Sequence, residues 1–301
     1  MVPARVTIPF IVVVELCLAQ RHRDALLMSA TASHHSQPSR TGVCVFARDE
    51  ERDIGEWIAF NLAVGFDAVV LYDNGSVDST PDIVRRFSQK FDVRLKDWPT
   101  TEATAQPKAY ENCLGSQFGS EHQWVAFLDA DELIVPRHGG IKELLERNAD
   151  AAGIAVNWAM FGSSGHARRP PGLMIETFQR RAKSDHRSCK VMKEIVRPSS
   201  VYRVLPPCYF GVRGHWARPS GRALMHETVS VPEHSVAQIN HYYTKSREEW
   251  DRRRRRGYRN AYVGKRARND WASVDHNVLL DRGALRFVPA VKEILATVGL
   301  V

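Results

Sequence analysis

Residues 124–136 read WVAFLDADELIVP. The opening WVAFLD (124–129), apolar up to the Asp129 that ends it, predicts a strand buried on both faces. Carboxylates follow at once: Asp129, Asp131 and Glu132. A buried strand that ends in acids fits an open parallel sheet, where ligands bind beyond the carboxyl ends of the strands.

The chain before this stretch supports that reading. VCVFA (43–47), AVVLYD (68–73) and VRLKD (93–97) are short strand-like runs. Helical patterns separate them. Asp53 starts one, with Ile54, Trp57, Ile58, Leu62 and Ala63 on one face and Gly65 at the capping position. Pro81 suits the first turn of a second helix capped by Ser79 or Thr80. Residues 106–118 read as a third. Strands alternating with helices predict an α/β fold with a doubly wound, mostly parallel sheet and right-handed crossovers. The loops after Ala47, Asp73, Asp97 and Asp129 are then the place for a ligand.

The texture changes after Pro136. A helix fits 140–149. GIAVNWAMF, LMIETFQ, VMKEIV and HSVAQINHYY are strand-like segments broken by Gly, Pro and Ser. They are expected to complete the sheet and build a substrate surface. A helix starts at Ser246 and runs through a row of arginines, and PAVKEILATVGL reads as a short amphipathic C-terminal helix. No internal repeat is visible.

Composition narrows the class. The chain has 301 residues, 44% hydrophobic and 25% charged, which excludes disordered, collagen-like and coiled-coil proteins. Five cysteines, odd in number and without a C-x-x-C pair, argue against a disulfide scaffold or zinc ribbon and fit a reducing compartment. The net charge of +8 is local: Lys245–Arg268 holds eleven basic and three acidic residues, leaving 31 of each sign elsewhere. Val6–Ala19 is apolar but interrupted by Glu15, and at about 14 residues it falls short of the roughly 20 needed to span a bilayer. Arg5 before it leaves a signal peptide open beside a dispensable start. Residues 29–41 read as a linker, so 1–41 is expected to be a flexible N-terminal segment.

Three stretches carry candidate chemistry. Asp129 and Asp131, two residues apart past a buried strand, can converge on a hard divalent ion such as Mn2+ or Mg2+, which would bridge a diphosphate. The alternative is a solvated turn capped by the aspartates. In YDNGSVDST (72–80), Asp73 ends a strand and can face a nucleoside, with Asn74 beside it; the same residues also make a good turn. A calcium loop is excluded, because position 12 from Asp73 is Val84. In INHYYTKSREEW (239–250), His241 is a possible third metal ligand, and Lys245 and Ser246 at a helix start could hold phosphate oxygens.

The order FARDE…YDNGSVDST, FLDADE, NWAMFGSSG and HYYTKS-x-EEW resembles the family 2-like glycosyltransferases, and within them the bacterial branch related to glycosyltransferase family 92. The similarity covers roughly residues 42–260. It implies a GT-A fold, a nucleotide-sugar donor and a divalent metal. The resemblance puts Asp129 and Asp131 on the metal motif, Asp73 on the nucleoside-contacting acid, and Ala47 and Arg48 on the loop bordering the base. Arg48-Asp49-Glu50 replaces the family's usual Lys-Asn-Glu, and Leu133 replaces an aromatic. By analogy with other GT-A enzymes, His241 completes the metal site. The domain would span 42–270, with a nucleotide-binding half (42–136), an acceptor-side half (137–270) and a helical extension (271–301).

An inverting transferase also needs a base for the acceptor hydroxyl. Glu176, Asp185 and Glu194 are the candidates, with Glu176 preferred. Trp158 and Phe161 could stack on sugars or pack in the core, and His215 reads as a loop histidine. The arginine run fits solvent, an anionic membrane surface or an acidic or lipid-linked glycan acceptor better than nucleic acid, since Tyr258 is the lone aromatic among the arginines. The expectation is a metal-dependent, inverting glycosyltransferase using a UDP-sugar. It would act on a glycan, lipid-linked or protein acceptor in polysaccharide or glycoconjugate synthesis, in the cytoplasm or at its membrane face. Its rivals are a nucleotidyltransferase, which lacks support because FARDEERD has no glycine, and a non-enzymatic basic RNA- or membrane-binding module.

Overall fold

A computed structural model describes residues 40–206, 209–225, 231–256 and 270–301. Apart from its last two residues, the N-terminal segment lies outside the described residues, as does Tyr258. The first half alternates β1 (Thr41–Ala47), α1 (Ile54–Val64), β2 (Ala68–Asp73), α2 (Thr80–Ser88), β3 (Val93–Asp97), α3 (Ala105–Gly115), α4 (Gln117–Glu121) and β4 (Trp124–Leu128). The strands pair in parallel in the order β3-β2-β1-β4.

The second half is mixed, as expected. It contains β5 (Glu132–Pro136), α5 (Ile141–Glu146), β6 (Gly153–Met160), α6 (Met174–Thr177), β7 (Arg180–Arg181), β8 (Met192–Val196), β9 (Val201–Leu205), β10 (Tyr209–Val212), β11 (Trp216–Ala217) and β12 (Ala237–His241). It ends in α7 (Arg247–Arg256), β13 (Leu279–Leu280) and α8 (Val288–Thr297). β8 runs antiparallel to both β4 and β6, β12 is parallel to β6, and β5 is antiparallel to β12. The sheet order is therefore β3-β2-β1-β4-β8-β6-β12-β5, with β11 added beside β6.

Strand side chains alternate between two cores. Val43, Val45, Val69, Leu71, Ala126 and Leu128 join one, where Trp57, Phe60, Phe87, Val291 and Leu295 pack. Cys44, Val70, Tyr72, Val125 and Phe127 join the other, with Tyr110, Phe118 and Phe210. Both faces are covered, so these strands read as continuous apolar runs rather than alternating ones. A fully buried Leu, Val or Phe contributes about 1.5–3 kcal/mol relative to exposure, which fixes the layers. Residues 288–297 are part of this structure rather than an appendage: Val291 and Leu295 are core residues, and Phe60 and Phe287 meet edge to face at 5.1 Å.

Two local expectations change. Residues 106–118 form two helices broken at the extended Ser116. The chain folds tightly back there, so that a Cβ on Gly119 would sit 2.3 Å from the Leu114 carbonyl oxygen and only glycine fits. LMIETFQ is not a strand, because Met174–Thr177 is helical. The buried Glu56 carboxylate accepts the backbone N–H groups of Met174 (2.5 Å) and Ile175 (2.9 Å), satisfying donors that a helix leaves open at its start.

Candidate active site

The carboxyl ends of β1, β2 and β3 lie side by side, because Ala47 pairs with Asp73 and Asp73 with Asp97. The loops that follow are laced together. Ser76 Oγ accepts Asp49 N–H, Thr80 Oγ1 accepts Glu50 N–H, and Asp49 Oδ1 accepts Val77 N–H. Asp49 takes φ +53°, left-handed backbone that costs a non-glycine residue energy and is held by these bonds. Against the loops lies an open pocket of about 520 Å³, lined by Arg48, Asn74, Gly75 and Pro99–Glu102. Asn74 Oδ1 accepts Thr100 N–H, fixing one wall.

Asp73 is buried, and its carboxylate accepts both the hydroxyl and the N–H of Ser76. It shapes the turn beside the pocket, while Arg48 and Asn74 line the pocket itself. Ala47 is buried at the end of β1.

The turn between β4 and β5 presents the acids. Trp57 Nε1 donates to the carbonyls of Asp129 (3.1 Å) and Glu132 (2.9 Å), and Glu132 Oε2 accepts Asp129 N–H at 2.9 Å. Asp129 points to Gln106 and Lys193: Oδ1 accepts Gln106 Nε2 and Oδ2 accepts Lys193 Nζ, both at 2.8 Å. Lys193 also lies 3.2 Å from Glu132 Oε2. Glu132 is fully buried, and its Oε1 has no hydrogen-bond partner among the described residues. Burial pushes its carboxyl up to about 8, helped by the neighbouring Asp129 and Asp131 charges and opposed by Lys193.

Asp131 meets His241. Antiparallel pairing of β12 with β5 sets His241 opposite Glu132, and Tyr242 N–H donates to the Asp131 carbonyl at 2.8 Å. His241 Nε2 then lies 3.6 Å from Asp131 Oδ2, which also accepts Arg253 Nη2 at 3.0 Å. Burial opposes the Asp131 charge, but His241, Arg253 and Lys245 outweigh it and hold the carboxyl well below its ordinary value. The Trp158 ring packs 4.2 Å from the His241 ring, centroid to centroid, and fixes its plane.

These residues fit a divalent ion in part. Ligands about 2.1 Å from one ion stand about 3.0–3.4 Å apart, so Asp131 and His241 need little adjustment to share one. Oxygen and imidazole nitrogen donors suit Mn2+, and Mg2+ suits the carboxylate. Among the described residues no group of three or more His, Cys, Asp or Glu is gathered to hold a metal. Asp129 is not brought into the Asp131–His241 pair; Gln106 and Lys193 take its oxygens.

The helix start at Ser246 is not open to phosphate. Ser246 N–H and Oγ donate to Glu249 Oε2, and Glu249 N–H donates back to Ser246 Oγ. Arg247 and Glu248 N–H donate to the carbonyls of His166 and Ala167. The first-turn donors are thus all used, in a capping box plus loop contacts. Lys245, at φ +52°, pairs its buried ammonium with Asp53, which also meets Arg169. The expected phosphate contacts from Lys245 and Ser246 are replaced by a buried ionic network.

Glu176 is likewise drawn elsewhere. It accepts Leu173 N–H and pairs with Lys292 of α8 at 2.7 Å. Glu194 is buried in β8 and accepts Phe210 N–H at 3.0 Å. Asp185 is exposed in the segment before β8. Phe161 is core, and His215 is a loop residue 3.7 Å from Asp150. Gln106, Lys193, Arg253 and Glu132 contact the candidate carboxylates, and the motif reading assigned none of them. Lys193 carried a signal: a lysine inside an apolar strand needs a partner. Gln106 carried none.

The Glycosyltransferase family 92 pattern matches residues 40–272. A family 92 protein of Ricinus communis is 27% identical over 212 residues, covering 66% of this chain and 34% of that protein. One of Oryza sativa subsp. japonica is 24% identical over 205 residues, covering 66% and 32%. The chain thus spans about a third of the length of these relatives. Among solved structures, S. aureus TarS 1–349 in complex with UDP aligns at TM-score 0.36 and 20% identity, covering 53% of this chain and 47% of that one. Mannosyltransferase PcManGT from Pyrobaculum calidifontis, in complex with GDP-Man and Mn2+, aligns at TM-score 0.32 and 18% identity, covering 47% and 43%. The sheet is of the expected α/β class, parallel in its first half and mixed in its second. With its pattern matched from β1 through the helix that carries Arg253, the chain belongs to glycosyltransferase family 92.

Proposed function

We propose that this chain transfers a sugar from a nucleoside diphosphate, a UDP-sugar by preference, to a glycan or glycoconjugate acceptor with inversion. The observation that carries the reading is the meeting of Asp131 and His241 at 3.6 Å, at the same carboxyl end of the sheet as Asp129 and the Arg48–Asn74 pocket. The nucleoside would enter that pocket, with the Arg48 guanidinium, the Asn74 amide and the Thr100 and Thr101 hydroxyls as polar contacts. The loop after β3 lines the pocket and leads into α3, whose Gln106 reaches Asp129, so one continuous segment would serve both the nucleoside and the diphosphate.

Asp131 and His241 would hold Mn2+ or Mg2+. A divalent ion there supplies positive charge against the leaving diphosphate as the glycosidic bond breaks. Trp57 keeps the acid turn fixed, and Trp158 keeps the His241 ring oriented, so both donors are positioned before substrate arrives. Lys193 donates to Asp129 at 2.8 Å and keeps its carboxylate aimed at the same end of the sheet. Asp185 is the exposed carboxylate left among the three base candidates.

The test is a panel of nucleotide sugars scored for a thermal shift with and without Mn2+, then for hydrolysis. A Mn2+-dependent shift with one nucleoside diphosphate family, and its loss in Asp131→Asn, is the expected result. No shift with any nucleotide sugar overturns the donor reading.

A further inference from the structure

The Asp131 carboxylate is shared between two basic side chains. Oδ2 faces His241 Nε2 at 3.6 Å and accepts a hydrogen bond from Arg253 Nη2 at 3.0 Å. The Asp131 side chain is 13% exposed and that of Arg253 17%. In so sheltered a place, a guanidinium and a divalent ion on one oxygen repel each other strongly. Arg253 is also held independently of Asp131. Its Nη1 donates to the Tyr243 carbonyl at 2.8 Å, and the guanidinium carbon sits 5.7 Å from the Tyr243 ring centroid. A guanidinium that releases Asp131 therefore stays at the site, and the Nη2 donor so released suits a diphosphate oxygen.

We propose that Arg253 is a built-in competitor for Asp131. It holds the carboxylate until a divalent ion arrives and then passes to the donor's diphosphate. Arg253 is thus a positioning residue that couples ion binding to nucleotide binding. Arg252, Arg254 and Arg255 of the same helix are exposed, whereas Arg253 is half-buried. The inference rests on Asp131 and His241 being the metal ligands. The physical basis is occupancy: a ligand that finds its site available in a tenth of the molecules binds about tenfold more weakly.

The experiment measures Mn2+ binding to the full chain by the loss of the free-ion paramagnetic resonance signal, with and without UDP. Arg253→Met is expected to bind Mn2+ alone about tenfold more tightly than wild type. UDP should then tighten Mn2+ binding less in Arg253→Met than in wild type. Arg252→Met is the control and should match wild type. Mn2+ affinity in Arg253→Met equal to or below wild type, at an unchanged melting temperature, overturns the inference. Should Arg253→Met melt below the assay temperature, Arg253→Lys decides, since it keeps a charge but loses the two-pronged grip. Tighter Mn2+ binding in that variant supports the competitor, and equal or weaker binding overturns it. Asp131→Asn and His241→Ala separate the two layers. Unchanged Mn2+ binding in both strikes the metal reading itself, whereas loss in both without a gain in the Arg253 variants strikes only the competitor.

Discussion

His241 Nε2 lies 3.6 Å from Asp131 Oδ2 because β12 pairs antiparallel with β5 in the register that sets His241 opposite Glu132. A slip of one residue would turn the imidazole to the other face of the sheet. The pair is therefore as well fixed as the sheet itself, and its consequences can be measured.

Asp131→Asn should lower metal-supported donor hydrolysis by about 10²-fold or more, the scale of losing one preorganised electrostatic group. His241→Ala should raise the Mn2+ concentration for half-maximal activity by about 10–100-fold. A Mn2+ titration of each variant checks both. Superposition of the His241→Ala and wild-type curves would remove His241 from the site.

Ser246→Ala tests the capping box. Losing the cap should cost about 1 kcal/mol, which for a chain of this size lowers the melting temperature by a few degrees. Affinity for UDP should stay as in wild type, because Ser246 donates to Glu249 and not into the pocket. Calorimetric UDP titration alongside thermal melting reads the two effects separately. A loss of UDP affinity at unchanged stability would restore the phosphate role.

Glu176→Gln should leave kcat within about twofold of wild type. Its carboxylate pairs with Lys292 on the surface, an interaction of about 0–1 kcal/mol. A drop of about 10²-fold, with rescue by an added small carboxylate, would instead mark it as the base.

Glu56 gives a pH signature. Burial raises its carboxyl from 4.5 to about 7, with the Met174 and Ile175 N–H groups and Arg169 opposing. Between these values the folded chain binds the proton that the unfolded chain has lost. This contribution to stability therefore falls as pH rises from 4.5 to about 7, by up to about 1.4 kcal/mol per pH unit. Asp53 acts in the opposite direction. Burial resists its charge, but Lys245 and Arg169 prevail and depress its carboxyl, so its stabilisation is complete above 3.8 and is lost as pH falls further. Glu56→Gln removes the first slope. The melting-temperature advantage of wild type over Glu56→Gln should shrink from pH 5 to pH 8, and a constant difference would contradict it.

Much of this was legible one-dimensionally, for a physical reason. Strands covered on both faces must be apolar throughout, so β1, β2 and β4 stand out as runs, and helices between them force parallel pairing. The acids after WVAFL mark the ligand edge by the same rule. LMIETFQ misled because a four-residue helix leaves no periodicity, and its start is stabilised by Glu56, far away in sequence.

What the sequence by itself determined is the α/β class, which follows from the local hydrophobic pattern; it offered Asp129 and Asp131 as metal ligands from their spacing, and His241 as a third chiefly by resemblance. Only the tertiary structure decided how the charges are partnered. It turned Lys245 to Asp53, closed Ser246 in a cap, drew Glu176 to Lys292, and brought Gln106, Lys193 and Arg253 to the carboxylates. A buried charge must find a counter-charge or hydrogen bonds wherever packing places them, and that choice is made across the fold rather than along the chain.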